Sequence, residues 1–282
     1  MKQQKNIKYL NNLPTLSGKC AVITGASGVI GKQIAVQFLA LGATVVLPCL
    51  KEEEGEQLKQ ELQVQFKADK IIVTELNLTD SKSIDNLVKL CQTLNVSFLV
   101  NNAGVIGRLA YQVNFKGTLE LTNKMLPMLN KHTDSVIVFQ SSMSYNTAKI
   151  KWLCKDHNNK KRLAAYAETK LLLNLAVVNM RQNILKNFEN VRLEICHPGC
   201  VISDIMGKVG NFWKKVAKLF FHTASTAALS ATVAAVKTVP NFYLVGPKWF
   251  GVWGKPKFRK LNKKLFKAEN QNLISNVLLQ DF

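Results

Sequence analysis

Cys20-Ala21-Val22-Ile23-Thr24-Gly25-Ala26-Ser27-Gly28-Val29-Ile30-Gly31 runs from an apolar, β-branched stretch through a glycine-rich turn into a helical pattern. Cys20 to Thr24 has the length and composition of a buried strand, and Ile30 to Leu41 puts Ile34, Phe38 and Leu41 on one helical face. A glycine turn at such a junction lets backbone N–H groups and the helix N-terminus approach a pyrophosphate. Glycines alone are weak evidence; the strand before and the helix after supply the context that gives them meaning.

The alternation continues downstream. Thr44 to Leu47 reads as a second strand, Glu52 to Phe66 as a helix, Ile71 to Leu76 as a third strand, and Ser81 to Leu94 as a helix with Thr79 and Asp80 as capping candidates. Val96 to Val100, Ser135 to Phe139 and Val191 to Cys196 supply three more strands, separated by helical patterns over Leu109 to Leu129 and Leu163 to Val178. This order predicts an α/β fold, a doubly wound parallel sheet with helices on both faces. After Gly199 the rhythm breaks. Ile205 to Phe221 is amphipathic with a basic side, Thr226 to Lys237 a small-residue helix, Phe242 to Val245 a last strand, Gly246 to Phe258 a loop, and Leu261 to Leu279 an amphipathic helix. The boundaries that follow are a loose arm over 1–17, a single domain over 18–258 and a basic tail, helical in part, over 259–282.

A chain of 282 residues with 47% hydrophobic content can bury a large core. The charge-free stretch His222 to Val236 is shorter than the roughly 20 apolar residues that span a bilayer, so no transmembrane helix is expected. Met1 to Ser17 carries Lys2, Lys5 and Lys8 without a continuous apolar run, unlike a secretory leader. The expected location is intracellular, cytoplasmic or peripheral to a membrane, with mitochondria as an alternative. Cys20, Cys49, Cys91, Cys154, Cys196 and Cys200 read as reduced thiols; Cys196 and Cys200 flank His197 but lack a second ligand pair, and no metal is expected. The formal charge is +20, and from Ile205 onward thirteen Lys or Arg face only Glu269 and Asp281. Such a surface is either simply solvated or attracts phosphates of an anionic membrane or the carboxylates of an acidic protein. No nucleic-acid recognition motif accompanies it.

Tyr166 and Lys170 lie four apart on a helical pattern, so the hydroxyl and the ammonium point the same way. A nearby cation favours the ionised phenol, whose free pKa is about 10, and brings it toward acid/base use. Any amphipathic helix can carry such a pair, and the motifs around it decide its weight. Asn101-Asn102-Ala103-Gly104 follows the fourth strand, and Val113-Asn114-Phe115-Lys116-Gly117 lies in the next helix. Ser141-Ser142 ends the fifth strand and His197-Pro198-Gly199 the sixth. In this order, from about Ser17 to Pro256, the motifs resemble the short-chain dehydrogenase/reductase family with its Rossmann fold. The 23 residues between Ser142 and Tyr166, together with Thr169-Lys170-Leu171 and the His-Pro-Gly turn, are similar to the retinol-dehydrogenase-like branch.

The resemblance implies an NAD(P)-dependent oxidoreductase that interconverts a hydrophobic alcohol and its carbonyl, of the retinoid, steroid or fatty-aldehyde type. Tyr166 would exchange the proton, Lys170 would lower the phenol's pKa and bond the nicotinamide ribose, Ser142 would hold the substrate oxygen, and Asn114 would complete a relay through water. The cofactor contacts would be Gly25, Ser27, Gly28, Ile30 and Gly31 at the pyrophosphate, Lys51 at the ribose, and Asn77 and Leu78 at the adenine. Asn102, Ala103 and Gly104, with Tyr166, Lys170, Pro198, Gly199 and Val201, would flank the nicotinamide side. Trp213, Phe220 and Phe221 fall where the family keeps a substrate lid, beside Lys214, Lys215 and Lys218. A homodimer through the helices at Leu109 to Leu129 and Leu163 to Leu185 is a further implication.

Three departures qualify this. The glycines occupy the second, fifth and eighth places of the loop, as in the family's extended members. The stretch from Gly104 to Asn114 is short for the family, which predicts a displaced Asn114, and Asn77 stands where an Asp is common. At the end of the second strand Leu47, Pro48, Cys49 and Leu50 offer no acid, and Lys51 is the first charge, so NADP is expected over NAD. The contrasting reading is a non-catalytic dinucleotide-binding subunit of a larger membrane or mitochondrial assembly.

Overall fold

β1 (Cys20–Ile23) is buried at every position and pairs in parallel with β2 (Thr44–Cys49) on one side and β4 (Val96–Asn101) on the other. The sheet grows outward from it in both directions, in the order β3-β2-β1-β4-β5-β6-β7-β8. β3 is Ile71–Glu75, β5 Ser135–Gln140, β6 Val191–Cys196, β7 Tyr243–Trp249 and β8 Trp253–Lys260. Every pairing is parallel except β7 with β8. Strand order reverses between β1 and β4, and in open sheets of this kind the ligand crevice lies outside the carboxyl ends at that point. The computed structural model from which this follows describes residues 9–148, 162–200 and 223–281.

Seven helices among the described residues cover the two faces: α1 (Val29–Ala40), α2 (Glu52–Gln63), α3 (Ser81–Cys91), α4 (Thr118–Leu129), α5 (Arg162–Asn183), α6 (Ala224–Val236) and α7 (Ala268–Asp281). Ile84, Leu119, Leu171 and Ile274 carry α3, α4, α5 and α7 into one core, while Ile34, Leu58 and Leu229 carry α1, α2 and α6 into the other. The sheet's own side chains divide between the two, Val22 with the first and Ile23 with the second, as strand alternation requires. α3 starts where expected because the Asp80 side chain accepts the Lys82 N–H at 2.9 Å.

Four expectations change. Gly246 to Phe258 is not a loop but the body of the β7–β8 hairpin, in which Pro247 pairs with Pro256. Two prolines disguised it; β8 is the sheet's edge, where a missing N–H is tolerated. The segment after Phe258, helical in part as expected, is packed into the fold and is not a separate tail. β8 runs on to Lys260, Leu265 and Ile274 are fully buried, and Asn179 Nδ2 on α5 donates to Gln271 Oε1 and Ser275 Oγ, each at 3.1 Å. Part of the helix face expected to meet a second copy is therefore occupied by the chain's own C-terminus. At the other end, Leu10, Leu13 and Leu16 of the supposed loose arm are buried in the second core. The long helix before β5 is not uniform: a π-helical turn, Gln112–Gly117, precedes α4. Among the described residues no helix is long and apolar enough to cross a membrane.

Candidate active site

Thr24, at the end of β1, ties the glycine turn to the turn after β4. Its N–H donates to Val100 O at 3.0 Å, and its Oγ1 accepts the Asn102 N–H at 3.1 Å and the Ala103 N–H at 3.0 Å. Asn102 Nδ2 returns bonds to the carbonyls of Thr24 and Gly25, at 2.9 and 3.2 Å. Two glycines are required by this closeness. Gly25 has φ +65°, and a Cβ there would stand 2.8 Å from Ala103 Cα; a Cβ on Gly31 would overlap the Gly25 carbonyl oxygen and lie 2.7 Å from Asn102 Nδ2. Gly28 is the N-cap of α1 and brings no capping side chain, so the helix's first N–H groups are left to an anion. The 25-28-31 spacing thus builds a close backbone turn at a helix N-terminus that a side chain at Gly25 or Gly31 would disrupt. Ile30, half-buried, follows on the first turn of α1.

The adenosine end is less complete. Ser27 hydrogen-bonds Cys49 and so joins the glycine turn to the end of β2. Lys51 is exposed at the N-cap of α2, directly before Glu52, Glu53 and Glu54. Asn77 Oδ1 already accepts from Thr79 N at 3.0 Å and Thr79 Oγ1 at 2.8 Å, which fills its two lone pairs and leaves Nδ2, a donor, to meet a base. Leu78 is buried, and its carbonyl packs so closely on Gly117 that a Cβ there would overlap it.

At the other end of the crevice four side chains converge. Lys170 is 3% exposed; its Nζ donates to the Gln140 backbone carbonyl at 2.7 Å and lies 5.7 Å from the centre of the Tyr166 ring. Burial depresses its pKa from 10.5 to about 8, with the Cys196 thiol opposing. Tyr166 hydrogen-bonds Ser142, and the Ser142 Oγ also accepts from the N–H and the hydroxyl of Ser144 at 3.3 and 3.0 Å. Asn114 lies near Lys170 despite the short approach. A Cβ placed on Gly104 would be 3.4 Å from Asn114 Oδ1 and 3.5 Å from Lys170 Nζ, so the three positions share one corner. Asn114 compensates for the missing residues by holding Val105 directly, Oδ1 accepting from its N–H at 2.7 Å and Nδ2 donating to its carbonyl at 2.8 Å. Nδ2 also donates to Thr169 Oγ1 at 3.1 Å, which fastens the π turn to α5.

One expected effect is reversed. Burial pushes the Tyr166 phenol up, the Ser142 bond opposes this, and Lys170, turned toward Gln140, does not lower it in this arrangement. His197 is a packed turn residue: its Nδ1 accepts the Gly199 N–H at 3.3 Å and its ring rests on Gly246. Pro198 and Gly199, half-buried, follow at the carboxyl end of β6. Val201 and the aromatic and lysine positions from Trp213 to Phe221 lie outside the described residues. Ser144 and the Gln140 carbonyl were not foreseen. The first had a signal in Ser142-Met143-Ser144, a spacing at which a hydroxyl caps its own turn; a backbone carbonyl has none.

A doubly wound sheet with this crevice is an architecture that dinucleotide-dependent oxidoreductases use. The chain belongs to the short-chain dehydrogenase family, whose model matches residues 19–212, and its cofactor class is NAD or NADP. It is 28% identical over 265 residues to a polyprenol dehydrogenase of Danio rerio, covering 83% of this chain and 80% of that one. It is 31% identical over 210 residues to retinol dehydrogenase 11 of Homo sapiens, covering 68% of this chain and 64% of that one. Among solved structures, an uncharacterized protein from Mycobacterium paratuberculosis superposes with a TM-score of 0.75 at 23% identity, over 96% of this chain and 95% of that one, a likeness of fold.

Proposed function

We propose that the chain interconverts a hydrophobic alcohol and its carbonyl, with Tyr166 as general acid/base and NADP as the preferred cofactor. The observation that carries this is the buried Lys170 ammonium behind a phenol that meets the Ser142 hydroxyl. In the reducing direction the substrate oxygen accepts from Ser142 and Tyr166, and the phenolic proton passes to it. The phenolate left behind would be costly in so buried a place, and the Lys170 cation, charged below about pH 8, would offset that cost once its ammonium turns from the Gln140 carbonyl toward the phenol. Asn114, across Gly104 from the ammonium, is assigned the water that returns a proton. When bound, the nicotinamide supplies or accepts the hydride. Gly25, Gly28 and Gly31 would hold its pyrophosphate, Lys51 the ribose phosphate, and Gly104, Pro198, Gly199 and Lys170 the nicotinamide side.

The substrate class rests on the resemblance and on the names of the relatives, a retinol and a polyprenol dehydrogenase. The test is turnover of long-chain aldehydes, retinaldehyde and a ketosteroid with NADPH. Tyr166→Phe, which keeps the ring and removes the proton, is expected to lower kcat by about 10² to 10⁴-fold. Equal rates in the two proteins would leave a binding role alone. Tighter NADH than NADPH binding, measured by titration, would overturn the cofactor preference.

A further inference from the structure

The tip of the β7–β8 hairpin is not accounted for by local chain preference. Trp249–Val252 form a turn closed by the Val252 N–H, which donates to the Trp249 carbonyl at 2.8 Å. Both central residues are left-handed, Phe250 at φ 50° and Gly251 at φ 74°. Glycine suits that region, whereas at the preceding position Asn, Asp or Gly is favoured and a bulky ring is strained. Phe250 is nevertheless 76% exposed, with Trp249 and Trp253 at 52% and 39%, so the strained ring returns little to the core. The rings of Phe250 and Trp253 meet edge to face at 6.4 Å and form one apolar knob. Strain kept without a packing return points to a use outside the fold.

The surroundings say what kind of use. The hairpin carries Lys248, Lys255, Lys257, Arg259 and Lys260, and the chain has no acid between Asp204 and Glu269. Lys248 Nζ sits 5.1 Å from the centre of the Trp249 ring. Lysines on an edge strand discourage sheet-to-sheet pairing, but that role does not call for three rings at the turn. Exposed indole and phenyl groups set among ammonium groups match the boundary between lipid phosphates and acyl chains. The position fits as well. β7 runs parallel to β6, so the tip projects from the carboxyl edge of the sheet, the edge that carries Ser142 and Tyr166. The turn touches the crevice wall, since a Cβ on Gly251 would lie 3.4 Å from both His197 Cε1 and Met143 Sδ.

We infer that the β7–β8 hairpin docks this chain on an anionic lipid bilayer, with Trp249, Phe250 and Trp253 among the headgroups, the lysines on the phosphates and the mouth of the crevice turned toward the lipid. The orientation rests on the functional reading above; the docking does not. The full chain is floated with vesicles of phosphatidylcholine alone and of phosphatidylcholine with phosphatidylserine. Binding is expected to the second kind and to be released by high salt. Phe250→Asn relieves the left-handed strain, so it is expected to raise the unfolding temperature by a few degrees while weakening vesicle binding about tenfold. Trp249→Ser with Trp253→Ser is expected to weaken binding further. Tryptophan emission quenched by brominated acyl chains in the unaltered protein gives a readout that needs no variant. Absence of flotation with phosphatidylserine, unchanged binding by both variants, or binding to polyglutamate but not to vesicles would each overturn the inference. None of these readouts uses cofactor or substrate, so a protein that docks without turning over, or turns over without docking, separates the two proposals.

Discussion

Lys170 is held as a buried cation by one carbonyl, and such a placement weighs against the fold. Its native pKa of about 8 lies below the usual 10.5, so between these values the unfolded chain keeps a proton that the native chain has lost, and stability attributable to this group rises with pH. Lys170→Met is therefore expected to be more stable than the parent at pH 7, by at most about 3 kcal/mol. Urea melts should show that gain shrinking as pH climbs from 8 toward 10.5; a gain independent of pH would mean the lysine is not buried charged. The same titration predicts that reductive kcat/KM falls as pH passes about 8, where the ammonium is lost. Asn174, four residues along α5, is fully buried and neither amide atom has a partner among the described residues. Asn174→Leu keeps the branch and removes the unmet polar atoms, so a stabilisation of about 1–3 kcal/mol is expected in the same melts. Gly117→Ala should act oppositely, costing about 2 kcal/mol or more, because its methyl would overlap the Leu78 carbonyl.

α5 carries Tyr166 and Lys170, and its position relative to β6 decides where they point. Glu194 on β6, its side chain 5% exposed, accepts from Arg181 of α5 and from Arg192, both at 3.0 Å. Burial raises the carboxyl to about 7 while both guanidinium groups oppose it; the two short bonds favour the ionised form. Glu194→Gln leaves a guanidinium unpaired in the interior, so a loss of about 3 kcal/mol is expected in equilibrium unfolding, with a smaller loss identifying the network as dispensable. The parallel elements were legible because a strand covered on both faces must be a continuous apolar run, as Val96 to Val100 and Ser135 to Phe139 are. The hairpin was not, since Pro247, Pro256 and alternating lysines copy the composition of a loop. Within the candidate site the side chains could be named from the chain, but not the Gln140 carbonyl under Lys170 nor the π turn that lets Asn114 reach Val105, because neither is written in side-chain chemistry.

Across the molecule, α7 packs on α5 and seals the first core with Ile274, beside Leu265 of the turn that precedes it. Removing 268–282 is expected to lower the unfolding temperature by on the order of 5 °C and to expose an apolar face on α5. Size-exclusion chromatography with light scattering should then find more self-association than in the whole chain; identical profiles would show that α7 is an ornament on that face. The other boundary of the molecule is β8. A foreign strand laid along it would find no donor at Pro256 and would have to strip water from the ammonium groups of Lys255 and Lys257. Fibril growth by stacking copies strand against strand is thereby disfavoured on this flank.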